Sequence, residues 1–270
     1  LYPVLIEELK SINARTPLTG RGVNYIGPTI LELGTDEQKT KWLPGIARGE
    51  GGWAMGYSEP GAGSDLASLS CRAELNGDHY VINGRKVWTS DAMDCDYIFI
   101  LARTDPDAPK HKGISLILVD MHQPGVQVSP IRLLSGASPF NETVFENAIA
   151  PAADVIGGIN NGWTVGKRLL QFERSTHAGI NTSGSQGGRT QDSELPRQLA
   201  PYLSNQPALR RALTAHEMAF AAQRLTQKRV IEETAANAPG FASSAVKLSN
   251  ALITQAGDEL RIAALGTSGI

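Results

Sequence analysis

Residues 53–155 alternate short runs of β-branched and aromatic residues with Gly, Pro and Asp, whereas the sequence on either side repeats its apolar residues at helical spacing. Short strand-like runs between turn-forming residues are typical of antiparallel sheets. The runs are His79–Ile82, Tyr97–Leu101, Ile114–Val119, Val126–Val128 and Thr143–Phe145. Asn76-Gly77 and Asn83-Gly84 are strong hairpin signals. The pattern predicts an α+β fold in which a small antiparallel β-barrel or sandwich lies between two helical regions.

The same changes between strand-like and helix-like sequence patterns predict three domains. Residues 1–52 are expected to be helical, residues 53–155 to form the β domain, and residues 156–270 to form a C-terminal helical bundle. The last region should contain two long amphipathic helices, Leu209–Thr234 and Ser243–Leu265.

Composition and charge argue against several classes of protein. The net charge is -2 and the isoelectric point is near 6.2, which gives no reason to expect a nucleic acid or an anionic membrane as partner. No apolar run approaches the roughly 18 residues that a membrane span needs. Cys71 and Cys95 belong to no Cys/His group with zinc spacing, so we expect reduced, partly buried thiols and no metal site.

The strongest local motif is the segment Tyr57–Asp65, which reads Tyr-Ser-Glu-Pro-Gly-Ala-Gly-Ser-Asp. Pro60 fixes a turn, while Gly61 and Gly63 permit positive φ and close approach of a ligand to the backbone. Successive free N–H groups in such a loop can bind anionic or carbonyl oxygens. Taken alone, the segment could equally be a plain surface turn before a strand. It is not a nucleotide P-loop, because no Gly-Lys-Ser/Thr follows.

Further motifs give this loop a context. Asn83–Ser90 reads Asn-Gly-Arg-Lys-Val-Trp-Thr-Ser, and with Tyr57–Asp65 it resembles the two flavin-binding signatures of the acyl-CoA dehydrogenases. Gly34–Pro44 resembles the upstream "GTxEQKxxxLP" stretch of that family, and Asn160–Trp163 resembles its "NxGW" motif. The resemblance implies bound FAD and the oxidation of an acyl-CoA thioester to its α,β-enoyl form. It also implies that further helices precede residue 1 and that the C-terminal helical domain is partial.

The resemblance implies a role for each matched position. Gly63 and Ser64 would contact the FAD pyrophosphate, Trp88 would pack against the flavin, and Ser90 would hydrogen-bond near flavin N5. Ser64 would also border the acyl-CoA channel. Residue by residue, the expected cofactor-binding set is Met55, Tyr57, Ser58, Gly63, Ser64, Trp88, Thr89 and Ser90. The alternatives are that Trp88 anchors a hairpin core and that Ser90 is an ordinary strand-end hydroxyl.

The implied reaction needs a base to remove the α-proton, while flavin N5 takes the β-hydrogen as hydride. A carboxylate suits this task only in a dry pocket that raises its pKa. Glu173 is the candidate, because one subgroup of the family places its catalytic Glu in the same Glu-Arg dipeptide. Gln171, Phe172 and Arg174 are expected on the substrate side with Ser64. Alternatively, Glu173 is a helix carboxylate paired with a neighbour, and Arg174 anchors the helix through an ion pair.

One departure from the family keeps other functions open. The "RxxFG" motif that reaches the FAD of a neighbouring subunit is absent, and the corresponding stretch reads Arg189-Thr190-Gln191-Asp192. A non-catalytic companion subunit is therefore one alternative, and an acyl-CoA oxidase is another. The resemblance further implies a homo- or hetero-oligomer, built as a dimer of dimers, with an electron-transfer flavoprotein or an equivalent acceptor. We expect a bacterial cytoplasmic protein, or a mitochondrial matrix protein if the source is eukaryotic.

Overall fold

A computed structural model describes residues 8, 12, 14, 20–177, 194–235 and 242–269. The chain divides into two compact units, Thr16–Glu173 and a second unit that combines Leu1–Arg15 with Arg174–Ile270. The domain boundaries predicted at residues 52 and 155 both fall inside the first unit, so a separate β domain stays a prediction.

The first unit begins with helices. A π-helical turn at Gly22–Ile26 leads into α1, Gly27–Leu33, and α2 follows at Asp36–Arg48. Thr35 caps α2, because its side chain accepts from the Gln38 N–H while the Gln38 side chain accepts from the Thr35 N–H.

Eight strands form a single sheet, and all lie within residues 53–155, the predicted β region, except that β8 extends one residue beyond it. They are β1 Trp53–Gly56, β2 Arg72–Asn76, β3 His79–Ser90, β4 Tyr97–Arg103, β5 Ile114–Asp120, β6 Val126–Ile131, β7 Phe140–Pro151 and β8 Val155–Ile156. Their order is β6-β7-β3-β2-β4-β5-β8, and β1 also pairs with β4. The predicted α+β class is confirmed.

The prediction of an antiparallel sheet is only partly right, because two pairings with β4 are parallel. Trp53–Gly56 pairs in parallel with Tyr97–Ile100, and Arg72 pairs in parallel with Arg103. A parallel pair needs a long connection between its strands. The β2–β3 hairpin lies between β1 and β4 in sequence and supplies that length, which a hairpin-by-hairpin interpretation of the sequence does not anticipate.

The hairpin signals differ in outcome. Asn76-Gly77 is confirmed, since Asn76 pairs with His79 and Gly77 has a φ of 65°. Asn83-Gly84 is not a turn; it lies inside β3, where the register with β7 shifts between Ile82 and Gly84. Gly84 has a φ of 153°, and a Cβ there would come within 2.6 Å of Cys71 Cα. A contact distant in sequence therefore explains this glycine.

We expect Gly84→Ala to destabilise the protein by about 1–3 kcal/mol, because the added methyl must displace the Cys71 backbone. Gly61→Ala is the matched control, since a Cβ at Gly61 meets no atom within 4 Å. Urea unfolding of both variants measures the effect. Equal stability of Gly84→Ala and the wild type would contradict the packing argument.

The sheet is buried on both faces at β4 and β5, as expected of near-continuous apolar strands, whereas β2 and β6 are largely exposed. One face carries a cluster with Ile82, Ile98, Ile100, Ile117 and Phe145. The other packs Phe99, Leu101, Leu116 and Leu118 against residues of the helices, including Ile26, Ile30 and Val165. This second face is the one that matters for the site described below.

The helix α3, Gly162–His177, approaches that second face at two glycines. A Cβ at Gly162 would overlap the Ser115 backbone of β5. A Cβ at Gly166 would lie 3.3 Å from Leu101 Cδ1 and 3.5 Å from the Tyr57 hydroxyl. The two glycines thus let α3 lie close to the sheet.

The second unit is helical where it is described. It contains α4 Leu195–Leu199, α5 Pro207–Ala235 and α6 Ala242–Leu265, so both predicted long helices are confirmed. Its core includes Leu195, Leu209, Leu213 and Leu260. Gln223 is buried and donates to Val246 O and Asn250 Oδ1. None of the helices in the described part is long and apolar enough to cross a membrane.

Candidate active site

The loop Tyr57–Asp65 begins where the chain leaves the edge of the sheet. β1 and β2 lie one after the other along the same edge of β4, pairing with Tyr97–Ile100 and with Arg103 respectively. Between β1 and β2 the chain leaves the sheet and returns at Arg72, so no strand pairs with Leu101 on that edge of β4. The Lys86 side chain, instead of a strand N–H, donates to the Leu101 carbonyl.

Lys86 is completely buried and its ammonium group has three partners. Nζ donates to Glu59 Oε1 at 2.7 Å, to Leu101 O at 2.7 Å and to Tyr57 O at 3.2 Å. Burying an unpaired ammonium would be prohibitive, whereas three acceptors satisfy all its protons. This lysine therefore fastens both the start of the loop and its acidic residue to β4.

Glu59 is held from the other side as well. Its Oε2 accepts from the Ser70 N–H at 2.7 Å and the Ser70 hydroxyl at 2.8 Å, and Oε1 accepts from the Cys71 N–H at 3.0 Å. Burial acts to raise the pKa of Glu59, but the charge of Lys86 and these hydrogen bonds outweigh it and lower the pKa below its usual range. Glu59 is thus a fixed carboxylate that joins the loop to the residues just before β2.

The tip of the loop is a tight turn. Glu59 and Ala62 exchange backbone hydrogen bonds, with N···O distances of 3.0 and 3.1 Å. Neither Gly61 nor Gly63 uses the positive φ that a glycine permits. What these glycines provide is open space: an added Cβ would meet nothing within 4 Å at either one. Gly63 and Ser64 are both exposed.

A β-bulge presents Trp88 beside this loop. The register between β3 and β7 shifts between Lys86 and Thr89, and Trp88 has a φ of 60°. Bulges re-aim side chains, and this one leaves the indole 58% exposed while Thr89 is fully buried. The Val87 N–H donates to Ser58 O at 2.9 Å, so the loop and the bulge are adjacent. The alternative in which Trp88 anchors a core is therefore wrong.

The other aromatic and polar groups near the bulge are placed as follows. The ring of Phe140 meets the indole of Trp88 edge-on, with centroids 5.9 Å apart. Thr89 Oγ1 is buried and has no hydrogen-bond partner among the described residues. Ser90 is half-buried at the end of β3, and Met55 is half-buried in β1.

Glu173 lies on α3 and is half-buried. Leu169, one turn earlier, is completely buried, and Leu170 is partly buried against the same cluster. The carboxylate acts on two tyrosines. Burial, and then the charge of Glu173, raise the pKa of Tyr57 and of Tyr25, while Arg21 acts in the opposite direction on Tyr25. Glu173 thus lies in partly apolar surroundings near the start of the loop.

The other residues predicted to contact the substrate lie in different environments. Gln171 is exposed, and its Oε1 accepts from Arg168 Nη1 at 2.7 Å. Phe172 is half-buried, with the Arg168 guanidinium 4.5 Å above its ring. Arg174 continues the helix, but its side chain lies outside the described part of the chain. The structure therefore places Ser58 next to the Trp88 bulge and Tyr57 within reach of the Glu173 charge, whereas Ser64 lies at the exposed far end of the loop.

These residues fit a flat aromatic cofactor with a phosphate tail. Trp88 presents an exposed ring beside the loop, and the backbone at Gly61 and Gly63 has open space in front of it. Thr89 Oγ1 is a buried polar atom without a partner in the described residues, directly next to Trp88. An aromatic wall, open backbone and available polar atoms are what FAD requires.

Comparison with known proteins identifies the family. The chain matches the model of the acyl-CoA dehydrogenase N-terminal domain at residues 2–50 and that of the middle domain at residues 54–148. Acyl-CoA dehydrogenase IpdE1 of Mycobacterium tuberculosis (strain ATCC 25618 / H37Rv) is 39% identical over 238 residues, covering 87% of this chain and 60% of IpdE1.

Solved structures give the same result. A variant of the Tcur3481-Tcur3483 steroid ACAD is 34% identical with a TM-score of 0.80, covering 98% of this chain and 69% of that chain. The ChsE4-ChsE5 complex from Mycobacterium tuberculosis is 29% identical with a TM-score of 0.74 and the same coverage, 98% and 69%. The chain belongs to the acyl-CoA dehydrogenase family. It spans 60% of the length of IpdE1.

The sequence did not assign Lys86, Glu59 or Tyr25 to the site. A signal existed for Lys86, because Tyr80, Ile82, Gly84 and Lys86 alternate along β3 and the first two are buried. A lysine at an inward position needs a buried acid, and Glu59 is the acid in the neighbouring motif.

Proposed function

We propose that the protein carries out FAD-dependent α,β-dehydrogenation of an acyl-CoA thioester, with Glu173 as the base that removes the α-proton. The observation that supports this most is that two adjacent loop residues face both groups: Ser58 lies beside the Trp88 bulge, and Tyr57 is within reach of the Glu173 charge. A proton acceptor and an aromatic wall for a flavin would then border the same loop. When bound, FAD supplies the hydride acceptor for the β-hydrogen.

The protein's own residues would divide the remaining work. The Glu173 carboxylate would take the α-proton beside the apolar residues Leu169 and Leu170 of its own helix. Trp88 and the backbone of Met55 to Ser58 orient the cofactor ring. Ser64 and Gly63 would hold its diphosphate through the open backbone of the loop.

A flavin spectrum of the purified full-length protein tests the cofactor, and turnover with acyl-CoA thioesters in the presence of an artificial electron acceptor tests the reaction. A colourless protein that fails to bind added FAD would contradict the proposal. Reoxidation of the reduced protein in air distinguishes a dehydrogenase from the oxidase alternative, because an oxidase passes its electrons to oxygen.

We expect Trp88→Ala to weaken FAD binding by about 10-fold or more while the fold survives. A stacked aromatic ring is worth about 1–3 kcal/mol by analogy with other aromatic–ligand stacks, and the indole is 58% exposed, so little core is lost. A flavin titration and a thermal melt measure the two effects. Met93→Ala removes another exposed apolar side chain, 60% accessible, and should change neither. Unchanged FAD affinity in Trp88→Ala would remove Trp88 from the site.

The assembly and the acyl group are also proposals. Among the described residues of α5 and α6, six large apolar side chains are exposed, which favours a homo- or hetero-oligomer; they are Met218, Leu225, Leu248, Leu252, Ile262 and Leu265. The Tcur3481-Tcur3483 structure is described as a steroid ACAD, so sterol-derived acyl groups belong in an activity screen beside straight-chain ones.

A second candidate function is that of a companion subunit without its own turnover. The missing "RxxFG" motif supports it, and the names of two structural neighbours each pair two proteins. Flavin content per chain separates the two functions, since a catalytic chain must hold FAD.

A further inference from the structure

The hydroxyl of Tyr57 is an unusual feature of the site. Tyr57 is only 5% exposed, and its Oη has no hydrogen-bond partner among the described residues. An unsatisfied buried hydroxyl is costly, so it calls for a functional explanation. The tyrosine occupies the position just before Ser58, at the start of the loop.

The surroundings of Tyr57 fix its ring firmly. The ring meets Phe99 edge-on, with centroids 6.2 Å apart, and it belongs to the apolar cluster that also contains Leu101 and Leu169. The hydroxyl reaches the face of α3 that carries Gly166, because a Cβ built there would lie 3.5 Å from it. A methyl at this position would make ordinary van der Waals contact with the hydroxyl, so the hydroxyl packs directly against this turn of α3.

Glu173 lies on nearly the same face of α3, seven residues after Gly166, which is about two helical turns. Helical side chains lean towards the N-terminus, so the Glu173 carboxylate leans towards Gly166 and the hydroxyl. The Glu173 charge acts on the hydroxyl, because burial first and this charge second raise the pKa of Tyr57. The hydroxyl and Glu173 therefore lie on the same side of α3, about two turns apart, and the hydroxyl does not donate to the carboxylate in this structure.

We propose that Tyr57 is a positioning residue whose hydroxyl donates a hydrogen bond to the Glu173 carboxylate when the acyl chain is bound. This rests on the proposed role of Glu173 as the base. The tyrosine is immobilised by its packing, whereas Glu173 is half-buried, so rotation of the Glu173 side chain closes the contact. Catalytic hydrogen bonds commonly tighten only in the complex with substrate.

The hydrogen bond would leave one carboxylate oxygen directed at the α-proton. Glu173 could then take that proton from a fixed position, while the Tyr57 proton stays on its own oxygen. No electron or proton leaves Tyr57 in the reaction, so its contribution is orientation. Tyr25 is the second tyrosine within reach of the Glu173 charge, but it is only half-buried.

The test compares Tyr57→Phe with Tyr80→Phe in the FAD-loaded protein. Tyr80 is 4% exposed and packs in the cluster on the opposite face of the sheet, so it is a matched buried control. A hydrogen bond to a charged group accounts for about a 10- to 100-fold effect on kcat. We expect that loss in Tyr57→Phe, with KM, FAD content and melting temperature close to wild type, and no change in Tyr80→Phe.

The outcomes separate the two proposals. Loss of turnover in Glu173→Gln with kcat within about twofold of wild type in Tyr57→Phe would overturn the positioning role alone. Near-normal turnover in Glu173→Gln would overturn the assignment of the base. Loss of FAD in Tyr57→Phe, or a rise in KM with kcat unchanged, would also overturn the positioning role, since it would show that the hydroxyl serves the cofactor or substrate instead.

Discussion

Glu173→Gln should abolish turnover while FAD stays bound. The amide is nearly isosteric with the carboxylate, so packing around Leu169 and Leu170 is kept while proton acceptance is lost. Removing a general base typically lowers the rate about 10²–10⁴-fold. Steady-state turnover with an acyl-CoA and the flavin absorbance of the same sample measure both parts of the prediction.

The control for this variant is Glu37→Gln, which makes the same chemical change at an exposed glutamate of α2. It should retain wild-type turnover. If Glu173→Gln kept near-normal activity, the base would have to come from outside the described residues or from a partner chain. Loss of both FAD and turnover would mean instead that Glu173 is needed for the shape of the site.

Unlike Glu173→Gln, the variant Lys86→Met should lower both the stability of the fold and the affinity for FAD. Removing the ammonium leaves Glu59, a carboxylate only 5% exposed, without its cation, and removes the donor to Leu101 O and Tyr57 O. Breaking a buried ion pair on one side typically costs about 3–5 kcal/mol. Urea unfolding should show a loss of that size, and the variant should purify with little FAD.

Two further variants make this prediction specific. Lys86→Met combined with Glu59→Gln removes both charges, so it should recover part of the lost stability. Lys39→Met removes a surface lysine whose partner Asp36 has a 94% exposed side chain, and it should change stability by less than about 1 kcal/mol. Wild-type stability in Lys86→Met would show that the pair does not hold the loop.

The sequence was most informative where a signal is local. The turn at Gly77 depends on adjacent residues, and the two long helices depend on their own periodicity, so all three could be predicted. The motif positions Tyr57, Ser58 and Trp88 could also be grouped in advance. The structure supports that grouping by placing the Val87 N–H on Ser58 O.

The failures involve residues whose partners are distant in sequence. Gly84 resembled a turn residue, yet it is required because β3 passes close to Cys71. The parallel pairing of β1 with β4 depends on how the intervening hairpin is placed. The two tyrosines on which Glu173 acts, Tyr25 and Tyr57, are far from α3 in the sequence. The sequence around Glu173 could therefore not reveal them.

The arrangement of β1 and β2 along one edge of β4 also bears on the order in which a newly made chain can build the site. The Lys86 ammonium joins atoms that are 29, 27 and 15 positions away along the chain. The β2–β3 hairpin closes a short loop and can form early, whereas these contacts must wait until Leu101 has emerged and β4 has paired. Until then Lys86 and Glu59 remain in water. The loop that would cradle the cofactor is thus completed only after the sheet beside it, which makes a formed sheet the prerequisite for cofactor capture.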